Sequence, residues 1–326
     1  MSYVARAYNE FFPNDLESCI TKVSKTQRLL DEINYYKSIP DDLKLFFPRL
    51  VSGTTVKYSN STDDHMLKLE LYKYNNVAHY LLNGDFDEIL WTNIFDSLFY
   101  VIERFKGYNS YANSNAQSED SIAMYIEKTE NEFKALKDNP LFNDLCTYEK
   151  LTINQQEYDN FSEVWKKLKP YILDKMCNRT SFNVIHGDCC FSNILCGFME
   201  DKKPVLKFID PRGGFGRKGI YGDSYYDLAK IAHSCEGGYE YFIYDKFKYE
   251  EHLGTISMSF DNDNNQKAQA IFEKNVADKQ LDMLQIRILE GTIFIGMCAR
   301  HYDSPLRQSA MYATGVKILN ECASLI

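Results

Sequence analysis

Residues 182–196 read FNVIHGDCCFSNILC, and residues 205–213 read VLKFIDPRG. The apolar run Phe182, Val184, Ile185 breaks at His186-Gly187-Asp188, and the apolar run Val205–Ile209 breaks at Asp210. Short apolar runs bounded by turn residues read as strands. The polar residues that follow them are thereby brought to strand mouths: a carboxylate (Asp188), an amide (Asn193) and a second carboxylate (Asp210). An Asp after His-Gly is ordinarily a turn residue that caps nearby N–H groups. An Asn five residues on, with an Asp closing the next strand, makes a more specific set. Asp188 suits acceptance of a proton from a hydroxyl. Asn193 and Asp210 offer the hard oxygens that Mg2+ takes alongside phosphates and water. Pro211 predicts an extended backbone at Asp210 that presents its carboxylate at the strand end.

The order Asp, four residues, Asn, then an Asp after the next strand matches the kinase catalytic loop H-x-D-x-x-x-x-N and its metal-binding Asp. With HGD in place of HRD, and Asp-Pro after the hairpin, the segment resembles the aminoglycoside phosphotransferase and choline kinase family of small-molecule kinases. Within it, HGDCCFSNIL (186–195), IDPRG (209–213) and GDSYYDLAKIAHS (222–234) look like the phosphotransferases associated with bacterial capsule and surface-polysaccharide synthesis. The likeness is fullest over Phe182–Ser234 and weaker over Ser18–Tyr72. It implies an α+β, protein-kinase-like fold of two lobes. A small, abbreviated, strand-rich N-lobe would span 1–74, and a large, mainly helical C-lobe 75–326. It also implies ATP or GTP as phosphoryl donor, Mg2+ as cofactor, and a hydroxyl of a small molecule, a sugar or sugar-like precursor, as acceptor.

The resemblance extends to other positions. Lys22, near the end of a strand expected over Leu16–Val23, and Glu32, on a helix expected over Lys25–Lys37, correspond to the kinase lysine that meets the nucleotide phosphates and the helix glutamate that holds it. The plain alternative for Glu32 is an exposed pair with Arg28 one turn away. Glu70 and Tyr72 fall where adenine would meet backbone between the lobes. His186, Asp223 and Asp227 read as support: His186 under the catalytic loop, Asp223 as a helix N-cap, Asp227 as a brace for the loop. Arg212, His233 and His301 are candidate acceptor contacts, each with an ordinary structural reading beside it.

The chain of 326 residues is long enough for two lobes, and its formal net charge of −9 with no basic run argues against a nucleic-acid partner. Nine cysteines, an odd number with no C-x-x-C pair, suit a reducing cytoplasm; Cys189, Cys190 and Cys196 lack structural-zinc spacing. No signal peptide and no membrane span are visible. The first glycine is Gly53, well after Lys22. A Gly-rich phosphate-covering loop is therefore reduced or missing, as in a domain of a longer or multidomain protein. One strand fits ahead of the lysine (Ser2–Ala7), with a turn around Pro13-Asn14-Asp15.

Further along, Val51–Tyr58 and Met66–Tyr72 are expected to form a hairpin across Ser59–Asp64. Helices are expected over Phe86–Phe105, Ser118–Lys137, Asn154–Cys177 (broken near Pro170), Gly222–Ser234, Ala268–Arg300 and Pro305–Ala323, with a polar loop at Asn262–Gln266. Two other functions stay open on sequence. One is a nucleotide- or substrate-binding kinase-like module with little catalysis. The other is metal-dependent hydrolysis with Asp188, His186 and Asp210 as ligands.

Overall fold

The computed structural model describes residues 10–14, 18–56, 64–84, 87–110, 112–178, 181–260 and 263–326. Four strands, β1 (Glu10–Asn14), β2 (Cys19–Ser24), β3 (Leu50–Val56) and β4 (Asp64–Glu70), make an antiparallel sheet in the order β1-β2-β4-β3. The helix α1 (Gln27–Ser38) buries Leu29, Ile33 and Tyr36, the spacing that the sequence shows, and packs on β3 and β4. The β3–β4 hairpin is the expected one; residues 57–63 at its tip, like the expected strand Ser2–Ala7, lie outside the described residues. Pro13 and Asn14 are not a turn. They end β1, paired with Ile20 and Cys19, and β1 is an edge strand, where a sheet tolerates proline.

From Glu70 the chain crosses to the second lobe. Asn75 and Asn76 pair with Cys196 and Leu195 of the strand Ile194–Phe198, which forms a hairpin with Pro204–Phe208. Around this hairpin lie the helices Glu88–Lys106, Ser224–Cys235, Asp263–Asp278, Met283–Cys298 and Pro305–Ala323. Met283–Cys298 is central, burying Ile286, Leu289, Ile293 and Phe294 against the helices on either side. The last helix has the bounds expected from sequence, with Ser304 capping its start and Pro305 in its first turn.

Three further expectations fail. Asn154–Cys177 is not one helix: Lys150–Ile153 and Gln156–Asp159 form a hairpin, and the helix starts at Phe161 behind the cap Asn160. Asn154 and Gln155, at φ 48° and 69°, make the two-residue turn. The hairpin is stabilised from far away, because Thr152 and Ile153 pair in parallel with Thr255 and Ile256. The loop expected at Asn262–Gln266 is replaced from Asp263 by a helix over Asp263–Asp278, Asn262 lying outside the described residues. Its polar first turn is used in tertiary bonds: Asn264 Nδ2 donates to the carbonyls of Leu81 and Gly84, and Asn265 Nδ2 to that of Glu236. Ala268–Arg300 is accordingly two helices, divided at Gln280, whose φ is 54°.

The two lobes touch closely beside α1. Gly213 has φ 70°, and a Cβ there would lie 2.5 Å from the Asp31 carbonyl oxygen. Gly213→Ala should therefore lose at least about 1 kcal/mol in urea unfolding, from left-handed strain together with the backbone clash.

Candidate active site

Residues 185–193 form almost no regular structure, so their shape is imposed from outside. Ile185 donates its N–H to Ile220 O, and Ile209 donates to Asn193 O at 2.9 Å, closing the hairpin so that Asn193 and Asp210 sit at the same end. Gly187 takes φ 78°, and a Cβ on it would meet Arg212 Cβ at 2.7 Å. A larger residue would push apart the two segments that carry the carboxylates. Phe191 anchors the loop in the core, stacked on Trp91 and edge-on to Phe95.

The helix Ser224–Cys235 supplies the polar side of the mould. Asp223 caps it, accepting the Tyr225 N–H and the Tyr125 hydroxyl. One turn in, Asp227 accepts the N–H groups of His186 (2.8 Å) and Gly187 (2.7 Å). Lys230 Nζ lies 2.9 Å from Asp188 Oδ1, with its side chain only 4% exposed. Ser234 Oγ accepts the Phe191 N–H and donates to Glu240.

His186 lies wholly buried between Phe47 and Phe208, and its Nδ1 accepts the Asp188 N–H at 3.2 Å. Burial pushes its pKa down to about 4, so the ring is neutral. Its Nδ1 is engaged, and among the described residues no three His, Cys, Asp or Glu side chains are grouped to hold a metal, as hydrolysis through Asp188, His186 and Asp210 would need.

On the other lobe, Lys22 Nζ meets Glu32 Oε2 at 2.7 Å and Asp210 Oδ1 at 2.8 Å. Burial would weaken the Lys22 ammonium, but Asp210 and Glu32 outweigh it and raise its pKa above the ordinary value. Asp210 departs from expectation: its φ is 58°, left-handed rather than extended. Aspartate is among the side chains that best tolerate this region. The ion pair with Lys22, and the Arg212 N–H donated to His186 O at 2.9 Å, hold the turn on both sides.

Asp188 is gripped twice, by Lys230 and by Arg28, whose Nη2 is 3.4 Å from Oδ2. Burial would raise its carboxyl, yet Lys230 and Arg28 overcome this and hold it well below the usual carboxylate range. Arg28 thus pairs across the lobes with Asp188. The Asn193 amide donates to the Asp188 carbonyl at 3.0 Å, which leaves its Oδ1 available. Asp210 keeps one oxygen off Lys22 and its side chain is 37% exposed. One carboxylate oxygen and one amide oxygen at the same hairpin end suit Mg2+, whose coordination is completed by phosphates and water.

Tyr72 donates to Glu70 Oε2 at 3.3 Å, and the Lys207 ammonium lies 5.0 Å from the Tyr72 ring centre. The N–H groups of Glu70 and Leu71 are donated to Arg49 O and Ser18 O, so the backbone there belongs to the sheet. His233 and His301 are wholly buried. The His233 ring packs 4.3 Å from Tyr239 and 4.1 Å from Phe294, and His301 meets Tyr239 edge-on. These two histidines sit in the core, where the sequence reading had them as acceptor contacts. Arg212 Nη1 donates to the Tyr226 hydroxyl at 3.1 Å. Sequence reading missed Lys230 and the Arg28–Asp188 pair. A signal existed for the lysine: Asp227, Lys230 and Ser234 are three and four residues apart, one face of a helix.

No family model matches the chain, and no curated protein matches it. Among solved structures, aminoglycoside phosphotransferase APH(4)-Ia superposes with a TM-score of 0.57 at 11% identity, covering 98% of this chain and 93% of that one. The GDP and kanamycin complex of APH(2") gives 0.56 at 12%, covering 100% and 93%. APH(3'')-Id from Streptomyces rimosus gives 0.50 at 15%, covering 90% and 91%. At such identity the likeness shows the fold: an α+β, kinase-like fold of two lobes.

The buried neutral histidine makes stability depend on pH. An unfolded His186 takes a proton near its ordinary pKa of 6.5, which the folded ring refuses until about 4. The native state therefore loses this contribution as pH falls from 6.5 towards 4, and keeps it above 6.5. In urea titrations across that window, the stability of the wild type relative to His186→Gln should drop by up to about 3 kcal/mol.

Proposed function

We propose that this chain is a small-molecule phosphotransferase that moves the γ-phosphoryl group of ATP or GTP to a hydroxyl. The observation that carries the reading is the joint at Lys22, Glu32 and Asp210 set beside Asp188 and Asn193. Between them lies the position where a triphosphate and a hydroxyl would meet. Lys22, fixed by Glu32, faces the α- and β-phosphates. The strip from Glu70 to Tyr72 borders the base. Asp210 and Asn193 would hold Mg2+, which would supply positive charge to the phosphates.

Asp188 receives the acceptor hydroxyl. Held ionised by Lys230 and Arg28, it is a weak base but a well-aimed one. That suits phosphoryl transfer, where the transition state is loose and catalysis comes mainly from positioning. Its oxygen orients the hydroxyl and takes the proton as the O–H bond yields. His186, Asp223 and Asp227 act through the loop and touch no reactant.

The finer reading of the acceptor, a sugar or sugar-like precursor of surface polysaccharide, is supported by the resemblance of residues 186–234. The aminoglycoside or choline type of acceptor is its rival. A catalytically weak binding module is a second reading, favoured by one observation: the segment 10–24 that carries Lys22 contains no glycine, which would let backbone N–H groups close over phosphates. No helix among the described residues is long and apolar enough to cross a membrane.

Two variants test the chemistry. Asp188→Asn should keep nucleotide binding while turnover falls about a hundredfold or more, as when a general base is lost; full activity in this variant would remove Asp188 from the role. Asp210→Ala should abolish the rise in melting temperature that ATP with Mg2+ gives the wild type. An unchanged rise would put the metal elsewhere.

A further inference from the structure

Beyond Asp188, on the side away from Lys22, cations gather around one tyrosine. Arg212 Nη1 is 3.1 Å from the Tyr226 hydroxyl, and its guanidinium lies 5.7 Å from the Tyr226 ring centre. Lys128 and Lys230 act on the same hydroxyl, and with Arg212 they lower its pKa against the opposing effect of burial. Lys128 Nζ and Arg300 Nη2 each lie 3.2 Å from Glu132. Arg28 and Lys230 converge on Asp188.

On this side three cations (Lys128, Arg212 and Arg300) share one carboxylate, Glu132, while Arg28 and Lys230 meet on Asp188 and Arg28 also feels Asp210 and Glu32. Among the described residues no carboxylate pairs with Arg212. The excess of positive charge is local and runs against the chain as a whole, whose formal net charge is −9. A protein with this balance has acidic side chains to spare, yet none closes on the Arg212 guanidinium. Lys128 is largely buried, at 20% side-chain exposure, and Arg212 and Arg300 press on its charge as burial does. Like charges held together at such a cost indicate a counter-ion.

We propose that the acceptor is an anion: a hydroxyl compound with a phosphate ester or carboxylate that Arg212 grips, with Lys128 and Tyr226 beside it, while its hydroxyl lies at Asp188. This rests on the phosphotransferase reading and narrows it. A polycationic aminoglycoside or a quaternary ammonium alcohol would bring positive charge to a site already rich in it. A guanidinium fork gives a phosphate or carboxylate two parallel hydrogen bonds, and this favours Arg at the centre of the cluster.

Calorimetric titration of the chain with charge-matched probes tests the proposal. Glucose 6-phosphate, glucuronate and glycerol 3-phosphate are compared with glucose, glycerol and kanamycin, each with and without saturating ADP and Mg2+. The nucleotide blocks the Lys22 side, so phosphate bound there is not counted. At least one anionic probe should bind tenfold or more tightly than its neutral parent, and the phosphate and carboxylate arms show which anion is preferred. Arg212→Gln should weaken that probe about tenfold, the size of a lost charge-assisted pair, with Arg212→Lys in between. Lys128→Gln gives a second reading if Arg212→Gln does not fold.

The proposal is overturned if no anionic probe binds more tightly than its parent, if kanamycin binds best, or if folded Arg212 and Lys128 variants bind the anion as the wild type does. Failure of ADP and Mg2+ to bind would instead strike at the phosphotransferase reading, and the anion comparison would then be decided by the Arg212 and Lys128 variants, which leave the Lys22 side intact.

Discussion

The loop from His186 to Asn193 takes its shape from a stripe of polar side chains on one neighbouring helix. Asp227, Lys230 and Ser234 lie on successive turns of Ser224–Cys235 and fix the loop at its start, its carboxylate and its far end. The bonds are buried; those with a charged partner are worth about 1.5–3 kcal/mol each, and the neutral Ser234–Phe191 bond about 0.5–1.5 kcal/mol. Removing one member would leave an N–H or a carboxylate buried without its partner, a larger penalty than the bond itself contributes. The reactive geometry is therefore stored in the helix, and the loop can be short and nearly irregular.

A second constraint sets the lobes against each other. Lys22 joins the sheet to Asp210, Arg28 joins α1 to Asp188, and Gly213 lets the segment after Asp210 lie against the α1 backbone. Lys207, at the hairpin, donates to the carbonyl of Leu45 at 2.6 Å. The Phe47 ring stacks on His186 beneath the loop and on Phe105 beyond it. Both carboxylates are thus each tied to a cation of the opposite lobe. Nucleotide entry must compete with these ties, and they keep Asp188 and Asp210 ionised while it does.

Much of this was legible from local pattern. The strand and hairpin around Asp188, Asn193 and Asp210, the spacing of α1 and the helix Pro305–Ala323 all follow from periodicity and turn residues in short windows. What was illegible depended on distant partners. Asn154–Asp159 reads as the start of a helix until the strand before it, Lys150–Ile153, pairs both with Gln156–Asp159 and with a strand a hundred residues later. Asn264 and Asn265 look like loop residues because their amides bond carbonyls of other segments. The proline rule misplaced the Asp210 backbone, since an ion pair and a neighbouring backbone bond override a local preference. His233 and His301 looked like polar contacts because burial among aromatic rings leaves no mark in a single sequence.

The most direct measurement is a crystal structure of the chain with a non-hydrolysable ATP analogue and Mg2+. The account predicts a metal on oxygens of Asp210 and Asn193, with Lys22 moved from Asp210 towards the phosphates and still paired with Glu32. The γ-phosphate should point at Asp188 along the face that Lys230 and Arg28 border. A metal held by Asp188 and His186, or a nucleotide seated away from the Lys22–Asp210 joint, would contradict it.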